Sequence, residues 1–134
     1  MKYLLDTPTF LWAISHPDRL SQEVANVIEN TENTIFVSAV TFWEISLKVA
    51  KGGLRSGGVT PQQLPDVARQ SGFRIIPLSV DEGATYHQLE SQWNEDPFNG
   101  MLRWQATQQN LILITDGKSI KKYNSQGIKI FWER

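Results

Sequence analysis

Five side chains ending in oxygen carry the chemistry this sequence offers: Asp6, Glu44, Asp96, Asn99 and Asp116. Asp6 closes one short apolar run, and Asp116 follows another. Glu44 lies about one turn into the helix predicted after a third run. Asp96 and Asn99 open the last long amphipathic stretch. In open parallel sheets, ligands sit beyond the carboxyl ends of the strands. These groups are therefore expected to face one cleft, with Ser38 and Thr115 at strand ends beside it. The 134-residue chain has no cysteine and two histidines. That excludes thiolate metal sites, cysteine nucleophiles and disulfides. Carboxylates converging without such partners suit a hard cation, magnesium or manganese. A carboxylate-held metal activates water and stabilises the leaving oxygen in phosphodiester cleavage. There is no Gly-rich phosphate loop, so metal-assisted hydrolysis is the chemistry these residues allow.

Each acid also has a plainer use. Asp6 precedes Thr7-Pro8, a common helix start, and Asp96 precedes Pro97 in the same way. Glu44 and Lys48 are four apart, the spacing of an ordinary ion pair on a helix surface. Asp116 with Gly117 reads as a turn. His16 and His87 have no obvious partner and read as surface residues. Trp12 and Trp43 sit in apolar helix faces, where burial is the default.

Strand-like runs cover residues 2–6, 34–38, 73–78, 111–115 and 127–132. Continuous runs such as Leu111-Ile112-Leu113-Ile114 suit a sheet covered on both faces. Helical patterns fall on residues 9–14, 21–30, 41–51, 61–70, 81–92 and 97–109, with glycine stops at Gly52 and Gly72. This alternation predicts an α/β domain with a mostly parallel sheet. At 40% hydrophobic and 20% charged residues, the chain is not disordered, and its length suits one domain over 1–134. No apolar run approaches the roughly 18 residues of a membrane span. The apolar start stops at Asp6, too soon for a signal peptide, so a cytoplasmic location and no membrane partner are expected. Net charge is −1, but residues 1–99 carry 7 basic and 12 acidic side chains, and residues 100–134 carry 6 and 2. The basic end, with Arg103, Lys121 and Lys122, is placed to meet phosphate or simply to be solvated.

Four segments in order resemble the PIN domain, in particular the VapC-like toxins of bacterial toxin–antitoxin pairs. The first is Leu4-Leu5-Asp6-Thr7-Pro8-Thr9-Phe10-Leu11-Trp12, where a histidine usually stands at position 8. The second is Phe42-Trp43-Glu44-Ile45-Ser46-Leu47-Lys48, leading to Gly52-Gly53-Leu54. The third is Asp96-Pro97-Phe98-Asn99-Gly100-Met101-Leu102. The fourth is Leu113-Ile114-Thr115-Asp116, followed by Ile120 and Tyr123. The resemblance implies a three-layer α/β/α sandwich with a five-stranded parallel sheet in the order 3-2-1-4-5. It implies a magnesium- or manganese-dependent ribonuclease with an acidic quartet. It also implies a small antitoxin whose tail covers the active-site groove, and often a homodimer.

On this pattern Asp6 and Glu44 match the first two acids. The third position falls on the neutral Asn99, and the arginine usual after it is Gly100. The fourth falls on Asp116 or, counted from Tyr123, on Gly117. Trp93, Asn94 and Glu95 replace the usual histidine and basic residues upstream, and Arg103-Trp104 replaces small or apolar ones. Asp96, one helical turn before Asn99, is a substitute metal ligand. Two functions follow. In the first, an active ribonuclease, Asp6, Glu44 and Asp116 hold the metal, Asn99 is a neutral ligand or orients water, and Lys121 and Lys122 hold the RNA backbone. In the second, a catalytically silent PIN domain binds antitoxin or RNA without cutting.

Overall fold

The structure is a computed structural model that describes residues 1–54, 59–89 and 96–115 together with the backbone of 129–130. Its elements in chain order are β1 (Lys2–Leu5), α1 (Thr7–Ser15), α2 (Gln22–Glu29), β2 (Thr34–Ser38), α3 (Ala39–Ala50), α4 (Leu64–Gln70), β3 (Arg74–Ile76), α5 (Val80–Thr85), α6 (Pro97–Gln109), β4 (Ile112–Ile114) and β5 (Lys129–Ile130). Short 3₁₀ turns cover Pro17–Arg19, Pro61–Gln63 and Tyr86–Gln88. The strands form one sheet in the order β3-β2-β1-β4-β5. Every pairing is parallel; Leu4 lies opposite Phe36 on one side and Leu113 on the other.

Alternation along the strands builds two cores. Tyr3, Leu5, Ile35, Val37 and Ile114 point to one face, where they meet Phe10, Val24, Ile45 and Leu64 from α1 to α4. Leu4 and Leu113 point to the other, where they meet Val40, Leu102 and Ala106 of α3 and α6. Both faces are covered, which is why the central strand residues are apolar in succession rather than at every second position. The result is an α/β/α sandwich. No helix among the described residues is long and apolar enough to cross a membrane.

Local signals set the boundaries. Ser38 is both the last residue of β2 and the N-cap of α3, its hydroxyl accepting from Val40 N–H at 3.0 Å. Asp6 is the single residue between β1 and α1. Helix α6 ends at Asn110, whose φ of 55° is a left-handed cap that asparagine tolerates. Two expected elements differ. Of the expected helix over 81–92, residues 90–92 lie outside the described residues, and the rest is α5, six residues long, followed by a 3₁₀ turn. The expected helix over 61–70 begins as the 3₁₀ turn Pro61–Gln63, with Pro65 in the first turn of α4.

Candidate active site

Asp6 sits at the carboxyl end of β1, and its backbone N–H donates to the Ile114 carbonyl at 3.0 Å, tying it to the end of β4. Its carboxylate is buried, and Oδ1 accepts the Thr9 N–H at 2.9 Å. The cap and the buried acid are thus one residue. Capping uses one carboxylate oxygen, Oδ1.

Glu44 is 3% exposed and is reached from α1 by its neighbour in space, Thr7. The Thr7 hydroxyl donates to Glu44 Oε1 at 2.7 Å and lies 3.0 Å from the Thr41 hydroxyl. A hydroxyl has one proton. Thr7 gives its proton to the carboxylate, so Thr41 donates to Thr7. Glu44 Oε2 accepts from Lys48 Nζ, where the acid side chain is 4% exposed and the lysine side chain 46%. The expected surface ion pair is therefore half-submerged. The ion pair forms as its i,i+4 spacing predicts, but spacing does not say which side of a helix is covered. Thr7, adjoining Asp6 in the chain, ties the start of α1 to Glu44 of α3.

Asp96 and Asn99 are exposed on the first turn of α6. Asp96 Oδ1 caps the helix, accepting from Phe98 N–H at 2.8 Å. Phe98 meets Trp43 edge to face, with ring centroids 4.8 Å apart. The residue before Asn99 thus contacts the residue before Glu44. Trp43 is 60% exposed, against the expectation that it is core; the covered side of α3 is occupied by Val40, Thr41, Glu44 and Ile45. Arg103, expected to face phosphate, is buried, because Leu102 to Ala106 are covered nearly all round α6. Asp116, Lys121 and Lys122 lie outside the described residues. Among the described residues, no group of three or more histidine, cysteine, aspartate or glutamate side chains is arranged to hold a metal ion. Asp6, Glu44 and the hydroxyls of Thr7 and Thr41 are buried oxygen donors, the type that suits a hard divalent cation.

A second polar cluster was not legible as a site. Ser38 Oγ donates to Gln105 Oε1, whose amide nitrogen donates to the Pro77 carbonyl and to Glu82 Oε1, both at 3.0 Å. Gln109 donates to Glu82 Oε2 at 2.7 Å, and Ser79 N–H to Oε1 at 3.0 Å. Burial alone raises the Glu82 pKa. The donors from Gln105, Ser79 and Gln109 together outweigh burial and hold it below the ordinary glutamate value. The sequence signal was the capping box Ser79-x-x-Glu82, with both of its hydrogen bonds present.

The PIN domain family model matches residues 3–125 of this chain. The chain belongs to the PIN domain family. Ribonuclease VapC16 of Mycobacterium tuberculosis (strain ATCC 25618 / H37Rv) is 32% identical to this PIN domain over 80 residues, which is 57% of this chain and 55% of the relative. The match thus spans about half the length of that curated relative. VapBC2 from Rickettsia felis, crystallised with a DNA fragment from its promoter, superposes with a TM-score of 0.71 at 22% identity, covering 98% of both chains. A toxin–antitoxin complex from Klebsiella pneumoniae gives a TM-score of 0.58 at 21% identity over 96% of this chain and 95% of the other. At these identities the two structures speak for the fold alone. PIN-domain ribonucleases of the VapC class are generally divalent-metal dependent.

Proposed function

We propose that this PIN domain is a magnesium- or manganese-dependent endoribonuclease of the VapC-like toxin class, working in the cytoplasm with a small antitoxin as partner. The observation that carries the reading is the pair of buried carboxylates, Asp6 and Glu44, linked through Thr7 at the carboxyl end of the sheet. Buried carboxylates persist when they are paired or ligate a cation. Asp6 and Glu44 would hold the cation, joined by Asp116 and by the amide oxygen of Asn99, with Asp96 as substitute. The bound cation supplies a Lewis acid and an activated water for phosphodiester hydrolysis. Thr7 and Thr41 fix the Glu44 carboxylate, and the α1 cap fixes that of Asp6, so both are oriented before a ligand arrives. Lys121 and Lys122 are assigned to the RNA backbone. The similarity to a named ribonuclease and to a toxin–antitoxin complex supports the substrate and the partner. A homodimer is part of the same reading.

The test is incubation of the purified protein with a mixed RNA pool and manganese, alongside Asp6→Asn and Asn99→Asp. Asparagine caps a helix about as well as aspartate. Loss of cleavage in Asp6→Asn at an unchanged melting temperature therefore separates the site from the cap. Asp6→Asn cutting as fast as the parent would sink the mechanism. The neutral Asn99 favours a second reading, a silent module that binds antitoxin or RNA. Parent silence with activity gained in Asn99→Asp selects it.

A further inference from the structure

We infer that Lys48 is the exchangeable counter-ion of the site: its ammonium occupies Glu44 Oε2 and yields that oxygen to an arriving divalent cation. The inference rests on the reading of Asp6 and Glu44 as cation ligands. It begins from the unequal exposure of the pair, 4% for the Glu44 side chain and 46% for that of Lys48. The carboxylate is fixed inside the fold, and the ammonium reaches it from solvent. Among the described residues, the other partner of Glu44 is the neutral Thr7 hydroxyl, with Thr41 behind it. Lys48 is therefore the positive charge that balances a buried anion.

The two Glu44 oxygens differ in what they can release. Thr7 is buried and bonded to Thr41, so the donor on Oε1 stays in place. Lys48 carries a compact charge on a flexible four-carbon stem, and it can swing outward into water. A divalent cation and an ammonium cannot share Oε2, and at such separation they repel strongly. Their occupancies exclude each other. The apparent affinity for the divalent cation is then lowered by the fraction of molecules in which the ammonium is bound.

Titration calorimetry of Mn²⁺ into the parent, Lys48→Met, Lys48→Arg and Glu44→Gln/Lys48→Met tests this, with circular dichroism to confirm folding. Methionine keeps the stem and removes the charge. Lys48→Met is expected to bind Mn²⁺ about fivefold to tenfold tighter than the parent, somewhat beyond the worth of an exposed pair because one partner is buried. Lys48→Arg should bind no tighter than the parent, and the double variant should lose the site. Equal or weaker binding by Lys48→Met overturns the proposal, as does binding that survives in the double variant. Absence of Mn²⁺ binding in both the parent and Lys48→Met overturns it together with the cation site. RNA cleavage is scored separately. A parent that follows the expected Mn²⁺ pattern but leaves RNA intact overturns the ribonuclease and leaves the counter-ion role standing.

Discussion

Two buried glutamates, Glu44 and Glu82, are treated in opposite ways. Glu82 accepts from the Ser79 N–H and the amides of Gln105 and Gln109, all neutral donors carried by backbone or by helix α6. Glu44 accepts from one buried hydroxyl and from one half-exposed ammonium. Gln105 and Gln109 tie Glu82 of α5 to α6, and Gln105 extends the network to Ser38 of β2 and to the Pro77 carbonyl in the β3–α5 turn. The ammonium on Glu44 comes from its own helix and joins nothing further. Hydrogen bonds spread over several elements make a carboxylate structural. A single mobile counter-charge leaves it available.

Exchanging each glutamate for glutamine tests that difference most sharply. In Glu44→Gln, cleavage of RNA should fall by at least about 100-fold, since even outer-shell partners of metals are worth 10- to 100-fold. Its unfolding free energy should move by less than about 1 kcal/mol, because the amide still accepts from Thr7 and the stranded ammonium is solvated. Glu82→Gln should do the reverse. A glutamine replaces one acceptor with a donor facing other donors, which costs about 1–3 kcal/mol. Cleavage per folded molecule should stay within about threefold. Urea denaturation and a cleavage assay on the same samples check both, and similar profiles for the two variants would erase the distinction.

Acid gives a smaller effect with a fixed sign. The folded-state pKa of Glu82 lies below its ordinary value. Its stabilising contribution is therefore complete above the ordinary glutamate pKa and is lost as pH falls through the lower folded-state value. The parent should lose urea resistance over that interval, and Glu82→Gln should lose less. The smallest effect is expected on the exposed Asp66–Arg69 pair, where the side chains are 78% and 62% exposed. Asp66→Ala should shift unfolding by less than about 0.5 kcal/mol. A larger shift would mean that exposure is a poor guide to which ion pairs matter in this fold.

The sequence showed the sheet clearly because a doubly covered strand carries consecutive apolar residues, as residues 3–5 of β1, 35–37 of β2 and 112–114 of β4 do. The bounds of α6 were legible to the residue, since Asp96-Pro97 starts it and Asn110 takes the left-handed turn that stops it. Helix α5 was overextended because the apolar spacing continues past Thr85, where the chain tightens into the 3₁₀ turn Tyr86–Gln88. Among the proposed site residues, Asp6 and Glu44 stand out in the sequence by their places after strands. Thr7, Thr41, Glu82 and Gln105 do not, because their roles come from contacts between 23 and 67 residues apart in the chain. Arg103 and Trp43 were misplaced for a related reason. Side-chain character suggested a surface arginine and a core tryptophan, whereas Arg103 is buried and Trp43 is exposed, since residue type does not say which side of a helix is covered.

At Ser38 the chain passes from strand to helix with no residue between them. The alignment of β2 with β1 and β3 therefore dictates the rotational phase of α3. An α-helix turns about 100° per residue. One inserted residue at this junction would swing Glu44 a quarter-turn away from Thr7 while leaving the sheet able to pair. The protein can thus be lengthened at this point only by abandoning its chemistry, and an insertion scan should find here an abrupt gap in tolerated lengths.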